Sequence, residues 1–536
     1  MISRSSGADS NTGGAMTKAS AVPEADSDSV TTPLLKPKDD ANRERDHADL
    51  GTNTSTAGAH ANPLTANVSR ARRFLIVACL CLTVASSAMQ GTCFGPFFFK
   101  AALEKNPHGG PGYRTAVSAV FSLAAVASLV GAPVLIRVLH DIGSKQLLVI
   151  AACTKDAASI LFAMLEHVSD WRVFLAYCYI LRCIQGFGFF AIATANMTYL
   201  TRMYPSQLGF ANSCMLTSLA AGHAVGTLLA GGLYDVGGFQ LPFLVTGSIG
   251  LLMSLSAGVF ILDIDKLANE QLQPVDQGNT SGSSTSAAKP AVAERHVSVL
   301  STLRLPWVWF LLLLFVSINL AYSASEAVLA PHMKLQFGVS ATVIGAALAL
   351  MIAQTLICGP VVGKLLDRGW NRYLLMPFGL VLMAVGCVLI GPASFLHLPH
   401  RLSLVFVSTF VLGVGRVHVL LTLPIALAEH LRDEGLGSVV ETRIPVAVLT
   451  RFFLSLGFAL GPVVVSPLVA VLDFQTVFGL LAFLYCGLAA LLLGLKWLAL
   501  LVAQIKACVV RGNPTGGVSS PAARLNSTAA ELHCVA

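Results

Sequence analysis

The sequence predicts an all-α integral membrane protein in which twelve transmembrane helices form two six-helix bundles. Of its 536 residues, 54% are hydrophobic and only 12% are charged, a balance that excludes an ordinary soluble protein. The mean hydropathy of +0.70 agrees. About twelve apolar stretches are long enough to cross the roughly 30 Å hydrocarbon core of a bilayer. These stretches are continuous rather than alternating, which predicts helices, because a helix satisfies its own backbone hydrogen bonds in lipid.

The twelve predicted helices lie between clusters of polar and charged residues. Basic residues at Arg70, Arg72 and Arg73 precede the first helix and place the N terminus in the cytosol. An even number of crossings returns the C terminus to the same side. In chain order the predicted spans are 74–99, 115–138, 146–166, 173–200, 208–233, 239–262, 305–331, 340–366, 373–394, 402–427, 444–471 and 474–503.

Polar segments divide the chain into five regions. Residues 1–72 and 504–536 are polar with little periodicity, and we expect both to be disordered cytosolic tails. Residues 263–303, which include a stretch of Ser, Gly, Thr and Ala, are expected to form a flexible cytosolic linker. This linker separates an N-terminal six-helix bundle, 73–262, from a C-terminal six-helix bundle, 304–503.

The sequence lacks the motifs of several other kinds of chemistry. Gly359 to Lys364 is one residue too short for a phosphate loop and continues into a helix, so we expect no nucleotide site. No His-Glu-x-x-His occurs and the 12 cysteines lack metal-type spacing, so we expect no metal, no cofactor and no enzymatic activity. The net charge of +7 sits largely in loops that set topology and leaves no nucleic-acid footprint. Transport, if it occurs, is then passive or driven by an ion gradient.

Glu326 is the strongest single candidate for a functional residue. It is the only charged side chain between Arg304 and Lys334, in the middle of predicted helix 7. An ionised carboxylate at that depth must be compensated or protonated. Asn319 and Tyr322 lie seven and four residues earlier and share its helical face, so we include them in a site that binds a substrate or a proton.

Other charged side chains also lie within predicted helices. An arginine at the depth of Arg182 should face a polar interior and interact with a carboxylate or with helix carbonyls. Glu326 therefore has a second interpretation, as the structural partner of Arg182, Arg416 or Arg451. The roles of the remaining polar groups stay open, and these are Lys155, Asp156, His223, Arg416, His418 and Arg451.

Short charged segments follow predicted helices 2 and 8. After predicted helix 8 the chain reads Gly363-Lys364-Leu365-Leu366-Asp367-Arg368, which resembles the Gly-x-Leu-x-Asp-Arg loop signature of the major facilitator superfamily. The copy after predicted helix 2 keeps Gly143 and Lys145 but has His140 in the acidic position. The resemblance implies a gate, formed by Gly363, Asp367, Arg368 and Lys145, that latches the two bundles in one conformation. Ordinary solvated loop charge is the alternative.

Further helices resemble other superfamily motifs. In predicted helix 4, Arg182-Cys183-Ile184-Gln185-Gly186-Phe187-Gly188 is similar to the Arg-x-x-Gln-Gly-x-Gly motif of proton-coupled facilitators. This similarity implies that Arg182 and Gln185 take part in proton coupling; a structural hydrogen-bond hub is the alternative. Predicted helices 5 and 11 resemble the antiporter motif, whose small residues let helices approach closely and bend. The residues concerned are Gly222, Gly226, Gly457, Gly461 and Pro462.

Three further segments are distinctive: Gly95-Pro96-Phe97-Phe98-Phe99-Lys100, Gly231-Gly232-Leu233-Tyr234-Asp235 and Cys387-Val388-Leu389-Ile390-Gly391-Pro392. Together they give a finer resemblance, from about residue 74 to 500, to the polyamine branch of the vesicular amine transporter family. The resemblance implies proton-coupled antiport of a small organic cation, such as a polyamine or another amine, by alternating access. It also implies a vesicular or endolysosomal membrane, with the plasma membrane second.

Two positions depart from the monoamine branch of that family. Ser87 replaces its acidic residue on helix 1, and Arg451 replaces its acidic residue on helix 11, whereas Glu326 matches the family acid on helix 7. A monoamine is therefore disfavoured, and Arg451 would favour a neutral or an anionic substrate. Two alternatives stay open: a facilitator of another small solute or drug, and a non-transporting receptor or scaffold on the same fold. Intramembrane charge without function is rarely worth its energetic cost, which speaks against the scaffold.

Overall fold

The computed structural model describes residues 69–204, 208–262, 299–391, 401–437 and 442–512. Nearly all of the predicted N-terminal tail and of the predicted linker, and most of the predicted C-terminal tail, lie outside these residues. The described part contains helices and no strands, and twelve of its helices are long and apolar enough to cross a membrane. The predicted fold class is confirmed.

The twelve long helices are labelled α1 to α12 in chain order. Short helices at Phe98–Lys105 and Val299–Thr302 lie outside this numbering. The helices are α1 Arg70–Thr92, α2 Pro111–Ile142, α3 Ser144–Met164, α4 Trp171–Met203, α5 Leu208–Gly237, α6 Gln240–Phe260, α7 Pro306–Phe337, α8 Ala341–Asp367, α9 Arg372–Ile390, α10 Leu402–Asp433, α11 Arg443–Leu472 and α12 Phe474–Gly512.

Helix α1 ends at Thr92, earlier than the predicted 99. Pro96 has no backbone N–H with which to continue the helical ladder, and the Gly95 N–H instead closes a turn onto the Thr92 carbonyl at 3.2 Å. The side chain of Phe94 anchors this turn, because its ring packs on those of Phe162 and Phe243 at centroid distances of 4.9 and 5.0 Å. Apolarity alone did not reveal the interruption, since the residues of the turn are as hydrophobic as the helix.

Several other helices are longer than their apolar cores. Helix α12 continues through Gly512, past the predicted end at 503, and α1 begins at Arg70, inside the predicted tail. The hydroxyl of Ser69 caps α1 by accepting a hydrogen bond from the Arg72 N–H at 3.3 Å. Once a helix exists, each added residue gains a backbone hydrogen bond, so helices run on into polar sequence. The domain boundaries therefore stay predictions.

Glycines allow α5 to lie directly against α1. A Cβ atom added to Gly222 would come within 2.1 Å of the Ala85 carbonyl oxygen, and one added to Gly226 would come within 2.5 Å of the Met89 carbonyl oxygen. Both distances are far shorter than van der Waals contact. Only glycine fits at these two positions with the backbones as they stand.

The C-terminal half repeats this packing with α11 against α7. A Cβ atom on Gly457 would lie 2.6 Å from the Val316 carbonyl oxygen, and one on Gly461 would lie 2.5 Å from the Leu320 carbonyl oxygen. Equivalent helices in the two halves thus meet through equivalent glycine pairs. The structure places these four glycines at helix contacts, while a helix-bending role for them and for Pro462 stays a prediction.

We expect Gly222→Ala to destabilise the protein, because the added methyl group collides with backbone atoms of α1 that cannot move independently. Overpacking of this kind costs about 1–3 kcal/mol. The matched control is Gly232→Ala in the same helix, where an added Cβ meets nothing within 4 Å. Thermal unfolding of both purified variants in detergent measures the effect. Equal midpoints for the two variants would contradict the packing described here.

The two halves meet mainly through α5 with α8 and α2 with α11. Where α5 crosses α8, a Cβ on Gly231 would come within 2.3 Å of the Ala341 carbonyl oxygen, and one on Gly345 within 2.4 Å of the Thr227 carbonyl oxygen. This crossing includes the end of α5 and the start of α8, which the loop charges predict to face away from the cytosol. The halves are therefore in direct backbone contact at that end.

Asp235, at the end of α5, caps the first turn of α8. Its carboxylate accepts hydrogen bonds from the backbone N–H groups of Ala341 at 3.1 Å and Thr342 at 2.8 Å, and from the Thr342 hydroxyl at 2.6 Å. The first N–H groups of a helix lack partners within that helix, so a carboxylate there satisfies them and complements the helix dipole. We call this contact, between Asp235, Ala341 and Thr342, the α5–α8 cap.

Candidate functional site

One face of α7 forms the first part of the candidate site. Tyr322 lies one turn before Glu326 on this face, and the two side chains interact electrostatically. The Oε1 atom of the Glu326 carboxylate is buried and has no hydrogen-bond partner among the described residues. Arg416 of α10 donates from Nη2 to Asn319 Oδ1 at 3.0 Å, and its guanidinium carbon lies 4.2 Å from the centre of the Tyr322 ring. The three predicted residues of α7 therefore do share one face, which Arg416 covers.

A face of α4 forms the second part. Arg182 is buried there, and its Nε donates to the Val120 carbonyl at 3.1 Å while Nη1 donates to Gln185 Oε1 at 3.2 Å. Its guanidinium carbon lies 3.9 Å from the centre of the Phe94 ring. Arg182 therefore bonds to α2 and to its own helix, and its part in proton coupling stays a prediction.

Arg182 and Glu326 nevertheless interact across the two halves. The charges of Arg182 and Arg416 both act on the Glu326 carboxylate. In the portion of the chain that is described, no basic group approaches this carboxylate within the 4.0 Å of a direct ion pair. The two arginines thus offset the charge of Glu326 from a distance, while its Oε1 atom has no hydrogen-bond partner among the described residues.

Arg451 of α11 enters the same region. Its guanidinium carbon lies 5.9 Å from the ring centre of Phe189, which is seven residues after Arg182 and hence on the same face of α4. Arg451 and Arg416 both act electrostatically on His223 of α5. We call Arg182, Glu326, Arg416 and Arg451 the central cluster. It contains three guanidinium groups and one carboxylate, contributed by four helices from both halves.

A buried network that the sequence did not reveal connects α1, α3 and α6. Gln90 Oε1 accepts hydrogen bonds from Lys155 Nζ at 2.5 Å and from Ser159 Oγ at 2.7 Å, while Gln90 Nε2 donates to Asp156 Oδ1 at 2.6 Å. Ser254 Oγ donates to Asp156 Oδ2 at 2.5 Å. Lys155 and Asp156 are each only 2% exposed. These adjacent residues of α3 are therefore joined through Gln90.

The network continues to the central cluster. Gln185 Nε2 donates to Ser159 Oγ at 2.9 Å, and Gln185 Oε1 accepts from Arg182. A continuous chain of hydrogen bonds therefore runs from Asp156 through Gln90, Ser159 and Gln185 to Arg182. No sequence spacing predicts it, because Gln90 and Ser254 are uncharged polar residues in mainly apolar helices, 66 and 98 residues from Asp156.

The predicted gate residues lie away from this region. Asp367 and Arg368 are exposed at the end of α8, and Gly363 and Lys145 are partly buried. Asp367 has no ion-pair partner within the described ranges in this conformation. The ion pairs nearby are those of Glu429 with Arg372 and with Arg432, and the side chain of His140 is not described. The gate stays a prediction.

His418 lies on a different side of α10 from the central cluster. Its Nδ1 lies 2.8 Å from the Val414 carbonyl oxygen of the preceding turn, and its ring packs edge-on against Phe378 of α9. This is the packed, hydrogen-bonded environment of a structural histidine.

Comparisons with known proteins agree with this geometry. The family model described as the Major Facilitator Superfamily matches residues 76–440 and 311–508. The MFS-type transporter SLC18B1 of Homo sapiens is 25% identical over 397 residues, which cover 74% of this chain and 80% of that protein. The Mus musculus protein of the same name is 24% identical over 398 residues, with the same coverage. These relatives agree with the resemblance to vesicular amine transporters.

Solved structures show the same fold at low sequence identity. The crystal structure of the nucleoside transporter NupG has a TM-score of 0.54 at 12% identity, and the match covers 77% of this chain and 98% of NupG. An inward-facing, unoccupied bacterial homologue of the human lysosomal transporter Spinster has a TM-score of 0.54 at 12% identity, covering 79% and 95%. With twelve membrane helices, paired glycine contacts in both halves and a family match along most of its length, the chain belongs to the Major Facilitator Superfamily.

Proposed function

We propose that this membrane transporter is a proton-coupled antiporter that moves a small organic cation, such as an amine or a polyamine, by alternating access. The observation that carries the proposal is Glu326, a half-buried membrane carboxylate whose Oε1 atom is buried and unpaired among the described residues. Such an oxygen is available either to a proton or to a substrate ammonium group. Competition between these two ligands for one carboxylate is the simplest physical basis of exchange.

Two protonation states of Glu326 give the transport cycle its direction. The ionised carboxylate binds the ammonium group, whereas protonation removes the charge and releases the cation on the acidic side. Arg182 supports this exchange because its position, fixed by Val120 and Gln185, holds a positive charge near Glu326 in both states. The cost of burying the ionised carboxylate is thereby reduced without a direct ion pair that would block the cation.

Alternating access requires that the two ends of the protein open in turn. The α5–α8 cap holds the halves together at the end predicted to face away from the cytosol. The gate proposed at Asp367 and Arg368 would do the same at the cytosolic end in the opposite conformation. For location we propose a vesicular or endolysosomal membrane, where an acidic lumen supplies the proton gradient, with the plasma membrane second.

A second candidate function is the facilitated passage of another small solute. It is favoured by Arg451, a further guanidinium group that acts on His223 together with Arg416 and would repel a pure cation in this region.

Uptake of labelled spermidine into proteoliposomes with an acidic interior tests the proposal. We expect accumulation that disappears when an ionophore collapses the pH gradient. Uptake of spermidine that merely equilibrates, with or without the gradient, supports the passive facilitator. Absence of both uptake and binding of any amine contradicts the antiporter.

A further inference from the structure

The central cluster contains unsatisfied groups of opposite sign. Glu326 Oε1 is a buried acceptor without a donor, and Arg416 Nε is a buried donor without an acceptor, as far as the described residues go. Arg416 is 91% buried, being 9% exposed. Tyr322 is near both groups, since it lies one turn before Glu326 on α7 and the centre of its ring is 4.2 Å from the Arg416 guanidinium carbon. An unpaired buried polar atom is costly, so such atoms mark the places where a ligand completes the structure.

Arg451 adds a second unpartnered cation to the same region. The described residues offer its guanidinium no hydrogen-bond acceptor, and its nearest aromatic contact, Phe189, is 5.9 Å away. Arg182 differs, because it already has the Val120 carbonyl, Gln185 and the Phe94 ring as partners. The buried donor that lacks an acceptor is therefore Arg416 Nε, and the half-buried guanidinium of Arg451 is a second group that can donate to a ligand.

The charge balance of the region also indicates that a ligand should bring an anionic group. With Glu326 ionised, the three guanidinium groups of the central cluster leave an excess of two positive charges. Lys155 and Asp156 do not change this balance, because they are joined through Gln90. A pure amine would raise the excess and a polyamine would raise it further, in surroundings where like charges are poorly screened. An additional anionic group on the substrate would lower it.

We infer that the transported amine also carries a carboxylate, so that its ammonium group binds Glu326 while its carboxylate binds Arg416 and Arg451. Guanidinium groups suit this role because they present paired N–H donors that match the two oxygens of a carboxylate. The inference rests on the proposed function for the ammonium group at Glu326. It adds the anionic half of the substrate, so aminocarboxylates are expected to bind more tightly than polyamines, which carry positive charge only.

Binding to the purified full-length protein, followed by thermal stabilisation in detergent, tests the inference. The probes are glycine, 4-aminobutanoate and 6-aminohexanoate, which differ in the spacing of their charges, with butylamine, butanoate and spermidine as single-sign controls. We expect at least one aminocarboxylate to bind about tenfold or more tightly than butylamine and butanoate, because it meets both demands of the site. Failure of all three aminocarboxylates to bind at millimolar concentration overturns the inference.

Variants separate the two halves of the site. We expect Arg451→Gln to weaken the best aminocarboxylate by about tenfold to a hundredfold, the loss typical of one charge-assisted hydrogen bond, and to leave butylamine binding unchanged or improved. The control is Arg401→Gln, an exposed arginine at the start of α10, which should change neither. An unchanged unfolding midpoint without ligand shows that each variant is folded.

The remaining outcomes distinguish the inference from the proposed function. If spermidine or butylamine binds as tightly as any aminocarboxylate, and Arg451→Gln has no effect, the inference is overturned. The proposed amine antiporter is then unaffected. If butanoate binds as tightly as the best aminocarboxylate, and Arg451→Gln loses that binding, the site for the carboxylate is supported. The ammonium site at Glu326 is then contradicted.

Discussion

Glu326→Gln is expected to abolish accumulation of substrate against a gradient. The amide cannot ionise, so the variant imitates the protonated state permanently and lacks the charge that binds an ammonium group. Binding of the amine should weaken, and the pH dependence of transport should disappear. Because Gln conserves the volume of Glu, the fold should be nearly unchanged. Counterflow, equilibrium binding and uptake at several pH values in proteoliposomes measure the three effects separately.

Controls make this result specific to position 326. Glu326→Asp keeps the charge on a shorter side chain and should retain partial, still pH-dependent activity. Glu166→Gln removes an exposed carboxylate outside the central cluster and should transport normally. Should Glu326→Gln accumulate substrate like the parent protein, with unchanged pH dependence, Glu326 would be a structural residue and the proton-coupled mechanism would lose its main support.

Asp156→Ala is expected to cause the largest loss of stability. The Asp156 carboxylate accepts hydrogen bonds from Gln90 and Ser254 and offsets the charge of Lys155, which is only 2% exposed. Removing one partner of a buried charged pair leaves an uncompensated buried charge, at a cost of about 3–5 kcal/mol. Chemical or thermal unfolding in detergent measures the loss, together with the yield of folded protein in membranes.

The double variant Lys155→Met with Asp156→Ala supplies the control. Removing both charges leaves no buried ion, so we expect the double variant to be more stable than Asp156→Ala alone. This outcome is independent of transport activity. If the loss of stability in the double variant equals the sum of the losses in Lys155→Met and in Asp156→Ala, the two residues do not act as a pair, despite their shared contact with Gln90.

The sequence predicted the fold because lipid imposes a simple rule on it. Runs of about twenty apolar residues must be helical, and charged loops separate them, so the number and order of the helices followed directly. The break after Thr92 was missed because hydropathy does not register a missing N–H at Pro96. The ends of helices such as α12 were missed because a helix extends past its apolar core wherever the next residues can still form backbone hydrogen bonds.

The candidate site was only partly predictable. Glu326 and Arg182 were visible because a charge inside an apolar run is conspicuous, and the shared face of Asn319, Tyr322 and Glu326 followed from helical periodicity. Gln90 and Asp235 gave no such signal. Gln90 is uncharged, and Asp235 lies at a helix end where a carboxylate is unremarkable. What each contacts depends on helices brought together from distant parts of the chain, which spacing in the sequence does not encode.

The α5–α8 cap implies that the two faces of the membrane are not energetically equivalent for this protein. Asp235 can satisfy the start of α8 only while the halves touch at that end, so opening it leaves the N–H groups of Ala341 and Thr342 to water. A capping interaction worth about 1 kcal/mol shifts a two-state population about fivefold. Under the proposed alternating access, we therefore expect the unloaded protein to favour the conformation open to the cytosol, so that a solute on the opposite side finds fewer molecules whose binding region it can reach.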